Sequence, residues 1–338
     1  MHLKYEALHN LTLQDYETVA SKAPEAEAAL DLELNKLEIE IYHAKVYQLR
    51  YVSYKYFLDY SGITIDPLAK TATALVTEGH DVVFEITDPL VSSMGNLEHE
   101  IKLVKEDGEW KIVSDQYEDY LWRLLNTGEF TKGEMINRID QSLQELENLD
   151  NSSPQQTKEE IPTPNSILGG GYYRDGAVAY AHQWAFDRNS AYYNFDAWDG
   201  DCTNFVSQAM HEGGGIPETA SSYGQGALGW FYDNASNYAA AWTGVYPLYD
   251  FVINGHFWAG GPEGVISTAE NLQVGDIIMY DLRDYPSEYD HSVIVVEMVD
   301  LGNGSLFPLI AAHSEDKDNY PFTAFNYYRT YSLHITGY

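Results

Sequence analysis

Trp198-Asp199-Gly200-Asp201-Cys202-Thr203-Asn204-Phe205-Val206-Ser207-Gln208-Ala209-Met210, followed by Gly213-Gly214-Gly215, is the stretch on which the fold of the C-terminal half turns. A glycine, an aspartate able to cap, apolar residues at Phe205, Val206, Ala209 and Met210, and a glycine stop together predict a short helix. Cys202 stands in its first turn, where unpaired backbone N–H groups and the positive end of the helix dipole favour thiolate over thiol. It is the single cysteine of the chain, so no internal disulfide can form. Taken alone, a free cysteine is more often a small buried hydrophobe. The segments around it reverse that reading.

Upstream, Tyr172-Tyr173-Arg174-Asp175 opens a helix through Ala177 to Phe186, with Ala177, Tyr180, Ala181 and Trp184 at helical spacing. Downstream, Leu272 to Tyr280 reads as a turn entering a strand, and Asp290 to Glu297 as a strand with His291 at its mouth. A third strand, Leu306 to Ser314, carries His313 near its end. A helix-borne cysteine facing a strand-borne histidine suits thiolate chemistry, because the imidazole takes the thiol proton and later protonates the leaving amine. His291 fits that base. His313 is the candidate to hold the base's tautomer and orientation, with Asp316 and Asn319 as substitutes.

These blocks, D-C-T-N-F-V-S-Q, G-G-G, L-Q-V-G-D-I-I-M-Y, D-H-S-V-I-V-V and R-D-G-A-V-A-Y-A, resemble the bacterial putative amidase domain family, a relative of NlpC-like and CHAP cell-wall hydrolases. The likeness runs from about Tyr172 to the C-terminus. It implies a papain-like cysteine hydrolase fold, a Cys-bearing helix packed on an antiparallel sheet, and a Cys–His–polar triad carried by Cys202, His291 and His313. An oxyanion hole is implied too. The Cys202 backbone N–H is its natural donor, with Asp196, Trp198 and Asp199 as candidates to supply a second. Asp201 is read as structural, its carboxylate capping the helix instead of disfavouring the thiolate beside it. The expected function is a secreted bacterial cysteine amidohydrolase or endopeptidase, cleaving an amide bond in a peptide or peptidoglycan-type substrate through an acyl-thioenzyme. A catalytically inactive papain-like binding module and an acyltransferase sharing the thioester are the alternatives.

The N-terminal half reads differently. From about Leu13 to Leu58 the pattern is helical, with the Tyr42 to Tyr60 part rich in β-formers. Alternation follows at Ile63 to Ile65, Thr71 to Thr77, Val82 to Ile86, Glu98 to Val104 and Trp110 to Val113, with Glu106-Asp107-Gly108-Glu109 as a hairpin turn. This predicts a smaller α+β domain with a curved antiparallel sheet, weakly resembling cystatin-like and nuclear-transport-factor-like modules. His80 and His99 sit there in strand-like contexts without evident partners. Phe130 to Leu149 predicts an amphipathic helix with Thr131 as its N-cap, and Asn148 to Asn165 a polar, Pro-bearing linker. The expected organisation is therefore 1–125, a helix and linker over 126–171, and an α+β catalytic domain over 172–338.

Composition supports two cores: 338 residues exceed one ordinary domain, and 44% are hydrophobic. Fifty-two Asp+Glu against 19 Lys+Arg leave a formal charge of -33, which repels phosphate backbones and anionic lipids and argues against nucleic-acid partners. No apolar run is long enough to span a membrane, and Met1 to Glu6 lacks a basic region leading into an apolar one. No H-E-x-x-H or C-x-x-C occurs, so no metal or cofactor is expected. The acidic group Asp281, Asp284, Glu288 and Asp290 lacks calcium-loop spacing and reads as a solvated loop. The aromatic crowd between Tyr223 and Trp258 is read mostly as core, with a minority lining a ligand groove.

Overall fold

The computed structural model describes residues 1–152, 171–198, 200–219, 229–254, 260–282, 289–302, 304–325, 327 and 329–338, with side chains described to residue 144 in the first of these. The chain divides into two compact units, Met1–Asp140 and Gln141–Tyr338, and both are α+β. Of the linker expected over 148–165, residues 148–152 are instead the end of a helix, and the rest lies outside the described residues.

In the first unit, α1 (His2–Asn10) precedes α2 (Pro24–Val46). Pro24 opens α2 with a φ already suited to a helix, Glu25 and Glu27 occupy its first turn, and His43 and Lys45 its last, complementing the helix dipole. The helical pattern expected to Leu58 ends at Val46. Gln48 then turns the chain through φ 57°, and the aromatic, β-branched run from Tyr51 makes β1 (Tyr51–Asp66). With β2 (Thr71–Phe84), β3 (Val91–Glu106) and β4 (Glu109–Tyr117) it forms an antiparallel meander in sequence order.

The alternating run at Thr71–Thr77 and the Val82–Phe84 part of the next one belong to the single strand β2, which shifts register against β3 between Glu78 and His80, while Glu85 and Ile86 pass into a 3-10 turn. Asp107 and Gly108, at φ 48° and 90°, make the tight β3–β4 turn. Asp119 caps α3 (Tyr120–Asn126) by accepting from the Trp122 N–H at 2.6 Å. At the start of α4 (Lys132–Ser152), Thr131 and Glu134 cap each other: the Thr131 N–H donates to Glu134 at 2.8 Å, and the Glu134 N–H to Thr131 Oγ1 at 3.3 Å.

The second unit begins its described part with α5 (Arg174–Trp184) and α6 (Cys202–Gln208), which runs into a π turn at Ala209–Gly213. A small hairpin, β5 (Tyr232–Asn234) with β6 (Asn237–Tyr238), and helices α7 (Ala240–Thr243) and α8 (Val245–Asn254) come next. Strands β7 (Glu263–Ser267), β8 (Ile277–Asp281), β9 (His291–Asp300), β10 (Leu306–Ala312), β11 (Lys317–Pro321) and β12 (Arg329–Gly337) then build an antiparallel sheet in the order β11-β10-β9-β8-β12-β7.

Phe205, Val206, Ala209 and Met210, the periodic residues of the α6 segment, pack with Ile277, Met279, Ile294, Val296, Ala311 and Leu333 of the sheet and with Trp230 and Trp242. All twelve are within 3% of full burial. Truncating Phe205 to alanine in such a core costs about 3–5 kcal/mol. The glycines that stop the helix also allow close packing: a Cβ on Gly176 of α5 would fall 2.2 Å from the Gly213 carbonyl oxygen. Only backbone against backbone fits there. Among the described residues, no helix is long and apolar enough to cross a membrane.

Candidate active site

Cys202 is the first residue of α6 and only 6% exposed. Its sulfur lies 3.7 Å from Thr203 Oγ1, and the backbone N–H and hydroxyl of both Thr203 and Ser292 act as donors toward it. Thr203 Oγ1 and Ser292 Oγ are themselves 3.0 Å apart. Burial pushes the thiol above its ordinary value, and these donors pull it down without cancelling the rise. At rest the group is a thiol, so the thiolate expected from the helix start is outweighed by desolvation, and deprotonation needs a base.

His291 is the first residue of β9, in register with Tyr280 of β8. Its ring packs at 5.0 Å from Phe325 and 6.1 Å from Tyr280, and burial, with the Lys317 charge, lowers its pKa to about 3. Among the described residues, its buried Nε2 has no hydrogen-bond partner. The next residue, Ser292, reaches the Cys202 sulfur, and because successive strand residues point to opposite faces, the His291 ring lies with Tyr280 on the face of the sheet away from α6. Among the described residues, no hydrogen bond joins thiol and imidazole.

His313 follows β10 directly and is 1% exposed. Its Nδ1 lies 2.7 Å from Asp201 Oδ2 and its Nε2 2.8 Å from the Trp184 carbonyl oxygen, while its ring stacks on Phe205 at 4.0 Å. Both nitrogens are thus committed, and neither is left to orient His291. Of the substitutes, Asp316 takes two hydrogen bonds from Arg188, at 2.8 and 3.0 Å. Asn319 sits in a left-handed turn at φ 52°.

Asp201 occupies the N-cap position of α6 but does not cap it. Its carboxylate instead accepts from the Phe195 N–H at 3.0 Å, Asn204 Nδ2 at 2.9 Å and His313 Nδ1 at 2.7 Å, which engage both of its oxygens. The expected capping role is corrected accordingly. Asp196 is held by Arg188 at 2.9 and 3.1 Å, and Trp198 is 76% exposed with its indole N–H on Tyr193 Oη. Asp199 lies outside the described residues.

Thr203, Ser292, Asn204 and Trp242 were not singled out from sequence. Asn204 Oδ1 accepts from the Trp242 indole at 2.8 Å, which fixes the first turn of α6 in the core. The only signal for the first three was adjacency to Cys202 and His291.

Among the acidic candidates, Asp290 accepts from the Leu282 N–H at 2.8 Å and Asp281 lies 3.8 Å from Arg329; Asp284 and Glu288 lie outside the described residues. No group of three or more His, Cys, Asp or Glu able to hold a metal occurs among the described residues. Trp230, Phe231 and Trp242 are fully buried, as core aromatics, whereas Tyr246 is 42% exposed; Tyr223, Phe257 and Trp258 lie outside the described residues.

In the first unit the structure gives partners to both histidines that the sequence left without any. His99 lies 3.0 Å from Glu78 and 2.9 Å from Asp115, across β2, β3 and β4. Tyr5 donates to the fully buried Glu78, so its oxygen accepts from His80 Nδ1 at 2.8 Å. Pairings across strands leave no trace in a linear pattern.

The second unit is thus an α+β unit in which a helix opening on a lone cysteine packs against a six-stranded antiparallel sheet. Residues 171–336 match the model of the putative amidase domain family. The chain is 34% identical over 145 residues to the uncharacterized protein YhbB of Bacillus subtilis, covering 43% of this chain and 42% of that one. It is 28% identical over 159 residues to the uncharacterized protein YjcM of the same organism, covering 45% and 33%. The chain therefore spans less than half the length of the curated relatives it matches. No solved structure matches it.

Proposed function

We propose that residues 171–336 form a papain-like cysteine amidohydrolase, related to NlpC-like and CHAP enzymes, that cleaves an amide bond in a peptide of the bacterial cell-wall kind. Cys202 is the nucleophile and His291 its base. The observation that carries this reading is that Cys202 heads α6 while β9, the strand that opens on His291, packs against the same turn, with Ser292 Oγ 3.0 Å from Thr203 Oγ1. The neutral His291 ring leaves its buried place beside Tyr280 and Phe325, which holds its pKa low, to take the thiol proton as the sulfur attacks the carbonyl and return it to the leaving amine. Hydrogen bonds between catalytic groups are often long in a resting enzyme and tighten with substrate bound. The match to an amidase domain supports the bond type. A secreted bacterial setting follows from the same reading of substrate.

The buried thiol favours one second reading, a binding module without turnover. Wild type and Cys202→Ala are incubated with peptidoglycan fragments and short peptides, and the products identified by mass spectrometry. Cleavage by wild type alone, with circular dichroism unchanged in the variant, supports the enzyme; equal cleavage by both removes Cys202 from the chemistry. Binding without products by both proteins selects the second reading. Amine adducts in place of hydrolysis products would make the enzyme an acyltransferase.

A further inference from the structure

We propose that Asp201 and His313 form a charged pair beneath the nucleophile, in which His313 is an imidazolium positioning residue that offsets the Asp201 carboxylate and so permits a thiolate at Cys202. This rests on the reading of Cys202 as nucleophile, and it assigns His313 a task other than orienting His291.

The difficulty it answers is electrostatic. Asp201 is 1% exposed and precedes Cys202 directly, and an uncompensated carboxylate there repels the negative sulfur that the reaction requires. A buried carboxylate also needs a cation or several donors of its own. Arg188 is the nearest guanidinium, but its nitrogens are taken by Asp196 and Asp316 at 2.8 to 3.1 Å, while Asp201 Oδ2 stands 3.7 Å from Arg188 Nε. Its charge reaches Asp201, but its hydrogen bonds go to two other carboxylates.

His313 supplies what remains. The Trp184 carbonyl can only accept, so Nε2 carries a proton, and Nδ1 faces the Asp201 carboxylate, so it carries one as well. A ring with both protons is a cation. Around the ring, α6 presents Phe205, stacked at 4.0 Å in a cation–π arrangement, α5 presents the Trp184 carbonyl, and the Arg188 guanidinium meets the same Asp201 oxygen at 3.7 Å. The neighbouring Ser314 hydroxyl accepts from the Asp201 N–H at 2.7 Å, so the end of β10 holds this residue by both backbone and side chain. The charges and the start of α6 are therefore set by the same few contacts.

The test uses the full chain. Iodoacetamide labelling of Cys202 is followed by intact mass against pH for wild type, His313→Asn, Asp201→Asn and the double variant. His313→Asn keeps a hydrogen-bond donor for Asp201 but removes the charge. The midpoint of labelling should rise in this variant by about one pH unit, a roughly tenfold slowing at a fixed pH below it. The double variant, which loses both charges, should return most of the way to wild type. A midpoint unmoved by His313→Asn, or a double variant equal to the sum of the singles, overturns the proposal.

A second measurement needs no variant to fold. In wild-type chain labelled with nitrogen-15 histidine, both ring nitrogens of His313 should be protonated at neutral pH, and one bare nitrogen overturns the pair. Labelling and resonance are read without substrate. A wild type that hydrolyses nothing would therefore count against the enzyme reading while leaving the pair to be judged on its own data.

Discussion

Arg174 Nη1 donates to Asp276 Oδ1 at 2.6 Å, joining the start of α5 to the turn before β8 across a hundred residues. Asp276 is fully buried and also accepts from the Gln273 N–H, the Ile335 N–H and His334 Nδ1, while Arg174 donates to the Val274 and Ile335 carbonyls. Two blocks of the family resemblance, R-D-G-A-V-A-Y-A and L-Q-V-G-D, thus meet in one structural pin. Removing one partner of such a buried, hydrogen-bonded pair strands the other. Arg174→Met should destabilise the fold by about 3–5 kcal/mol, read by urea unfolding; a loss below about 1 kcal/mol would show that the pair contributes little.

Gly200 stands at φ 103°, and a Cβ there would fall 2.8 Å from Ser314 Oγ, the group that accepts from the Asp201 N–H. Gly200→Ala should therefore cost about 1–3 kcal/mol through backbone strain, and displace the start of α6. Adding Ser314→Ala should relieve the collision but not the strain, so the double variant stays less stable than wild type. Thermal unfolding of the three proteins measures this.

In the first unit, burial alone would lower the pKa of His99, but hydrogen bonds to Asp115 and Glu78 raise it above 6.5. That stability is complete below about pH 6.5 and lost as pH rises through the raised value. Glu78 runs the other way: burial would raise its pKa, yet Lys4 and the hydrogen bonds from His99 and Tyr5 hold it well below the carboxylate range. Its contribution is present above about pH 4.5 and lost as pH falls toward its depressed value. Thermal unfolding against pH should give greatest stability between these limits, and His99→Gln should flatten the alkaline limb. An unchanged alkaline limb in that variant would show the pairing to be inert.

His291 has its pKa lowered to about 3 by burial and Lys317. The unfolded chain takes up a proton near pH 6.5 that the folded one refuses, so stability falls as pH drops from about 6.5 toward 3. Its partnerless Nε2 adds a desolvation cost of roughly 1–3 kcal/mol. His291→Leu should abolish hydrolysis, keep or raise the unfolding temperature at pH 7, and weaken the acid sensitivity between those values. A variant that retains turnover would remove His291 from the reaction.

The elements that frame the candidate site were legible in the amino-acid sequence, whereas β7, β11, β12, α7 and α8 were not. Periodicity placed α6 on Phe205, Val206, Ala209 and Met210, strand signals placed β8, β9 and β10, and Asp107-Gly108 marked its hairpin, because these depend on neighbours a few residues apart. Sequence alone also singled out Cys202 and set it at the head of a helix. Only the tertiary structure decided what surrounds it. Ser292 reaches the sulfur, His313 turns to Asp201, His99 pairs with Glu78 and Asp115, and burial makes the resting cysteine a thiol. Each of these rests on residues brought together from distant parts of the chain, and on loss of water from groups whose spacing in sequence says nothing of their depth.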